Sequence, residues 1–279
     1  MADLKDELIE YAKGIGADKV GVAEVENLKN PPQQQGFDPE NYVPGAQSVV
    51  SLCIGYPSGV FGIDDKDMFT YGTSFGAVYN TMRAEIDSVG LKVLKFLEGK
   101  GYKASYVSPG KPYEEGAKLG GLFHTYVQKL IGTLAGIGEE GTQGALLTPE
   151  FGPKVMLAAV VTDAPLDPDG PVLVNKVCRK CFECASVCPS SAISKENYPP
   201  YNFNRNRCLW PLTGTLRATD IDEPDPEWVD ARPNAYKLLP EYADKHIKLK
   251  VILEWDKIMG DFPKCVRCIA ACPAEGTVE

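Results

Sequence analysis

Four of the nine cysteines in this chain form a run that few folds accommodate: Cys178-x2-Cys181-x2-Cys184-x3-Cys188-Pro189. Three thiolates spaced this closely wrap one iron–sulfide cube and reach three of its irons. The fourth, followed by proline, points away to a second cube. A shorter run, Cys265-x2-Cys268-x3-Cys272-Pro273, repeats the pattern one ligand short, and Cys208 upstream supplies the missing thiol. Thiolates are soft ligands that suit iron–sulfur clusters. Zinc is the alternative for CxxC pairs, but the x2-x2-x3-CP spacing and its partial repeat favour two [4Fe–4S] clusters, and with them electron transfer.

The two runs are expected to exchange their last cysteines. Cluster one is assigned Cys178, Cys181, Cys184 and Cys272, and cluster two Cys188, Cys208, Cys265 and Cys268. The segment at about 209–264 then reads as an insertion within a ferredoxin-like fold. It is rich in Asp, Glu and Pro at first, with a helix expected around Ile247 to Ile258. The acidic run at 220–230 reads as a solvated loop. Cys53 stands apart in the apolar run SVVSLCIGY and reads as a buried, inert thiol.

The region before the cysteines alternates helix and strand. Leu4, Leu8, Tyr11 and Ile15 recur at helical spacing, as do Met82, Ile86, Val89, Val93 and Leu97 over residues 77–99. Gly101 is placed to stop that second helix. Strands are expected at Lys19 to Val25, Ser48 to Tyr56, Tyr102 to Val107 and Val155 to Thr162, with a further helix over Gly120 to Leu134. The alternation implies a layered α/β or α+β domain over 1–170, followed by the cysteine-rich domain over 171–279.

The 279 residues are 44% hydrophobic and 24% charged, the balance of a globular chain able to bury a core. The net charge of −9 weighs against a nucleic-acid partner, since phosphate contacts call for a basic face. The N-terminal residues lack a basic stretch followed by an apolar one, and no segment reaches eighteen apolar residues, so no signal peptide and no membrane span are expected. The expectation is a cytoplasmic protein, whose reducing surroundings favour metal-bound cysteines over disulfides.

Three segments carry a resemblance: AGIGEEGTQGALLTPEFGPKVMLAAVVTDAPLDPDGP (135–171), CRKCFECASVCPSSAIS (178–194) and CVRCIAACP (265–273). Together with Cys208 followed by LWPLTGT, and FLEGKGYKA (96–104), they resemble the corrinoid-dependent reductases that include reductive dehalogenases and epoxyqueuosine reductase. The resemblance implies a nitroreductase-like N-terminal domain, with cobalamin held between it and the cluster domain. Electrons would pass through the clusters to the corrinoid, and a side-chain acid would protonate the substrate.

On that resemblance Gly136, Gly138, Gly141, Thr142, Gly144, Thr148, Glu150 and Gly152 form the corrinoid-side turn. Glycine there would let backbone approach a flat macrocycle; a helix cap is the structural alternative. Glu139 and Glu140 read as solvated charges. Tyr79 matches the dehalogenase proton donor, with Tyr71 as the alternative. Thr142 stands where dehalogenases place a basic residue. No aspartate stands near Leu122, where epoxyqueuosine reductases keep their acid; His124 and Tyr126 stand there instead and are the other candidate proton donors. His246 reads as solvated.

The implied function is an iron–sulfur oxidoreductase, cobalamin-dependent, acting on a small organic substrate and fed by a donor such as ferredoxin or flavodoxin. The alternative is a B12-free protein that delivers electrons to a partner redox or corrinoid protein. Flavin in place of cobalamin is the least favoured reading.

Overall fold

A computed structural model describes residues 3–29, 37–63, 68–107, 123–171, 176–195, 203–232, 234–259 and 265–274. Its centre is a four-stranded sheet of β1 (Lys19–Glu24), β2 (Ser48–Gly55), β3 (Ala104–Val107) and β6 (Val155–Thr162), in the order β1-β2-β6-β3. All three pairings are antiparallel, which makes the layered domain α+β. A separate two-stranded hairpin joins β4 (Glu139–Glu140) to β5 (Leu146–Leu147).

Side chains alternate faces along a strand, and both faces of this sheet are covered. On one, Val50, Leu52, Ile54, Ala158 and Val160 pack against α1 (Leu4–Gly14) and the 23-residue α3 (Ala77–Gly99), with Leu8, Ile86, Val93 and Leu97 fully buried. On the other, Val49, Ala159 and Val161 meet Val127 and Ile131 of α4 (Phe123–Leu134). β2 and β6 are central strands buried on both sides, which is why they read as unbroken apolar runs.

The apolar spacing on α3 is the one expected. The helix ends as expected too: Gly101 adopts φ 94°, and Tyr102 N–H returns to the Leu97 carbonyl. A short helix α2 (Met68–Tyr71) and a π-helical turn (Gly72–Gly76) lead into it. Cys53 is fully buried beside Ile137, Leu146 and Leu157, and burial pushes its thiol pKa far up, as an inert thiol requires.

Asp169 fastens the segment that leads into the cysteine-rich region to the edge of the sheet. Its carboxylate accepts from Val22 N–H at 2.9 Å and from the Lys5 ammonium at 2.6 Å. Farther on, the segment after Cys208 builds its own core around Trp210, Trp228 and Tyr242, whose rings meet edge to face with centroids 4.9–5.4 Å apart. The expected helix is found at Ile247–Met259. Among the described residues no helix is long and apolar enough to cross a membrane.

Candidate redox site

The hairpin β4–β5 is the piece of the sheet domain that meets the cysteines. α4 stops just before it in a Schellman cap: Gly136 takes φ 70°, Gly136 N–H donates to the Thr133 carbonyl, and Ile137 N–H to that of Gly132. The next glycines are required by close packing. A Cβ on Gly138 would stand 2.5 Å from the Leu147 carbonyl oxygen, and one on Gly141 2.2 Å from a Leu147 methyl. Gly144, at φ 70°, lies against the Phe203 ring.

Glu139 corrects the sequence reading. It is not solvated but 5% exposed, and its carboxylate accepts from the backbone N–H groups of Lys176 at 3.0 Å, Val177 at 2.9 Å and Cys178. The strand alternation turns Glu139 inward and leaves Glu140 exposed. One buried carboxylate thereby fixes the backbone that enters the first cysteine run. Leu147, Val177 and Ala274 close an apolar seam beside it.

Cys178, Cys181, Cys184 and Cys272 line one pocket, together with Thr142, Gln143 and Phe182. The Thr142 hydroxyl lies 3.2 Å from the Cys178 sulfur. The buried Gln143 side chain sits at hydrogen-bonding position to the Cys272 sulfur. Burial, then the neighbouring Cys272, pushes the Cys184 thiol up to about 11. The loop is tightly wound, with Lys180 and Phe182 in the left-handed region at φ 51° and 61°.

The remaining four cysteines form a second group. Cys208 is influenced by Cys265 and Cys188, and Cys268 by Cys208, Cys265, Cys188 and, least, Cys184 of the first group. Burial is the larger cause in both, and pushes Cys208 up to about 12. Ala192 N–H donates to the Cys188 sulfur at 3.2 Å. Ser190 Oγ donates to the Arg207 carbonyl at 2.7 Å, joining the turn after Cys188 to the helix Arg205–Leu212 that carries Cys208. Arg207 is held in turn by Glu223 through two hydrogen bonds, at 2.8 and 2.5 Å.

A further charge enters this second group. The Lys129 ammonium of α4 donates to the Gly144 carbonyl. Burial lowers its pKa, while Cys208, Glu140 and Cys268 hold it up.

All eight thiols are free of disulfides. Among the described residues no three Cys, His, Asp or Glu side chains converge tightly enough for a single metal ion. The pocket, the four thiols around it and the Gln143 side chain at Cys272 fit an iron–sulfur cluster, whose sulfurs accept such hydrogen bonds.

The other candidate residues are dispersed. Tyr79 packs on α3 against the sheet core beside Tyr56 and is not among the residues lining the cysteine cavity. Tyr71 is 1% exposed, stacked on Phe75, with the Arg217 guanidinium 5.6 Å above its ring centre.

His124 and Tyr126 fall in the first turn of α4, and their side chains lie outside the described residues. Glu150 pairs at the surface with Lys19 at 2.7 Å. Thr148 and Gly152 exchange backbone hydrogen bonds at 2.9 Å, and the Thr148 hydroxyl accepts from Phe151 N–H. The turn 148–152 thus satisfies itself.

No protein-family model matches the chain. An epoxyqueuosine reductase of Bacillus subtilis (strain 168) is 25% identical over 239 residues, covering 76% of this chain and 56% of that protein. A tetrachloroethene reductive dehalogenase of Dehalobacter restrictus (strain DSM 9455 / PER-K23) is 33% identical over 168 residues, covering 44% of this chain and 30% of that one. The chain spans about half the length of the epoxyqueuosine reductases it matches. Among solved structures, a reductive dehalogenase for which B12-dependent dehalogenation is suggested shares the fold. Its TM-score is 0.51 at 19% identity, over 94% of this chain and 37% of that one.

The expectation that nucleic acid is an improbable partner is not borne out. A net charge sums the whole chain and says nothing of a local face.

Proposed function

We propose, from the chain's membership of the reductase family that holds epoxyqueuosine reductases and reductive dehalogenases, that it is an iron–sulfur oxidoreductase with two [4Fe–4S] clusters in a ferredoxin-like module. The observation that supports this reading is the pocket lined by Cys178, Cys181, Cys184 and Cys272, which joins the first cysteine run to the last thiol of the second, with Cys265 and Cys188 acting on Cys208. The family and the B12-dependent dehalogenase of like fold support a corrinoid as the electron acceptor, on the face of a nitroreductase-like domain.

When bound, each cluster supplies a one-electron carrier. The chain's own residues set the conditions. Glu139 holds Cys178 in place through the backbone. Thr142 and Gln143 offer hydrogen bonds to the sulfur side of the first group, and Lys129 brings positive charge to the second. Hydrogen bonds and charge of this kind raise a cluster's potential.

The described residues do not form a corrinoid cradle. Gly138 and Gly141 are closed by Leu147, Gly144 lies on Phe203, and Glu150 is paired with Lys19. That packing favours the second reading, in which the chain delivers electrons to a partner redox or corrinoid protein.

The test is anaerobic purification with iron analysis and a visible spectrum, before and after hydroxocobalamin is added and the excess removed. About eight irons per chain are expected for two clusters. Retained corrinoid bands select the reductase with its own cofactor, and their absence selects delivery to a partner. In Cys272→Ser the electron paramagnetic resonance signal of cluster one should change; a change confined to cluster two would overturn the exchanged assignment.

A further inference from the structure

The two cysteine groups differ in their access to solvent. Cys181, in the first group, is the exposed thiol; the other seven are buried or half-buried. Electrons enter a two-cluster module most readily where a cluster lies nearest the surface, which is the Cys181 edge.

That edge is basic. Lys176, Arg179, Lys180 and Lys195 are all exposed, and between Lys176 and Lys195 the one carboxylate is Glu183. Arg179 and Lys180 line the mouth of the cavity beside Cys181 and Phe182. The Lys195 ammonium lies 5.7 Å from the Phe182 ring centre, which brings a cation from beyond the cysteine run back onto the same rim. The whole chain carries −9, so this rim runs against the protein's overall sign. A local field of that kind steers an oppositely charged partner and fixes its orientation on contact.

We propose that an acidic electron-donor protein, with its own redox group at a carboxylate-lined edge, docks on the rim formed by Lys176, Arg179, Lys180 and Lys195. The donor's reduced group gives up one electron, cluster one accepts it, and no bond or proton is exchanged. The electron then passes to the second group. This inference rests on the two-cluster reading above and adds the entry point and the charge of the partner.

The experiment uses the full chain with its clusters, oxidised, in an anaerobic stopped-flow instrument. Two reductants are compared: a reduced acidic ferredoxin, and the methyl viologen radical, a small cation. The variant pair is Arg179→Glu with Lys180→Glu. A second pair, Lys176→Glu with Lys195→Glu, alters residues that are not neighbours of Cys181 in sequence.

With ferredoxin at low salt, each pair should lower the second-order rate constant by about tenfold or more. The wild-type rate should fall as salt rises, and the variants should lose that dependence. Methyl viologen should reduce the variants as fast as wild type or faster. The proposal is overturned if ferredoxin reduces both pairs at the wild-type rate, or if both reductants slow equally in both pairs. If methyl viologen fails to bleach the wild-type chromophore, the two-cluster reading fails first, and the docking site falls with it.

Discussion

Glu139→Ala removes the carboxylate that holds the entry to the first cysteine run. Three backbone donors lose their acceptor: Lys176, Val177 and Cys178. Lys176 is exposed and finds water, so it counts for little. Val177 is fully buried and Cys178 half-buried. An unsatisfied buried donor costs about 1–3 kcal/mol, so the two together cost about 2–6 kcal/mol. At roughly 2–4 °C per kcal/mol for a chain of this size class, the melting temperature should fall by about 4–24 °C.

The loss should also be selective. With Cys178 assigned to cluster one as proposed, iron should drop from about eight towards about four per chain, with cluster two retained. Calorimetry and iron analysis under anaerobic conditions read both quantities. Glu139→Gln keeps the shape and one carbonyl acceptor while losing the charge assistance, and should fall between wild type and Glu139→Ala. A Glu139→Ala protein that melts within about 1 °C of wild type, or that sheds both clusters together, would refute the reasoning.

Two further substitutions probe the layers on either side. Gly90→Ala would place a Cβ 2.1 Å from the Tyr106 ring, whose hydroxyl donates to Asp87 at 2.6 Å. Overpacking of that kind should cost about 1–3 kcal/mol in denaturant titration, with iron content unchanged. Trp228→Ala empties the centre of the aromatic trio and removes the donor to the Asn206 carbonyl at 2.7 Å. It should cost about 3–5 kcal/mol. Because Asn206 precedes Cys208 on the same helix, cluster two should be lost before cluster one.

What was legible in the sequence was whatever is local. The face of α3 could be read because Met82, Ile86, Val89, Val93 and Leu97 repeat at the helix period. β2 and β6 could be read because strands buried on both sides leave no polar interruption. The two proposed cysteine groups come from the x2-x2-x3-CP spacing and the exchange of last thiols between ferredoxin runs. Glu139 was misread because a two-residue strand is too short to show its alternation, and its partners lie 37 to 39 residues away in sequence. Lys129 gave no signal either. A lysine on an amphipathic helix reads as solvated, and its surroundings come from the hairpin, the Cys208 helix and the last cysteine run.

The hairpin β4–β5 explains why a glycine pattern and a cysteine pattern occur together. Its sheet-side face is apolar, with Ile137 and Leu146 beside Cys53. Its other face is chemical, with Glu139 on the Val177 backbone, Thr142 on the Cys178 sulfur and Gln143 at Cys272. A turn that serves both layers within ten residues has little room for side chains, and glycine provides that room at Gly138 and Gly141, where a Cβ would meet Leu147. The glycines are thus required by the approach of the sheet domain to the cysteine module, whatever acceptor lies beyond. A substitution at either glycine that abolishes activity would therefore report first on the seating of Cys178 and Cys272. Iron content has to be measured before such a loss is assigned to any other cofactor.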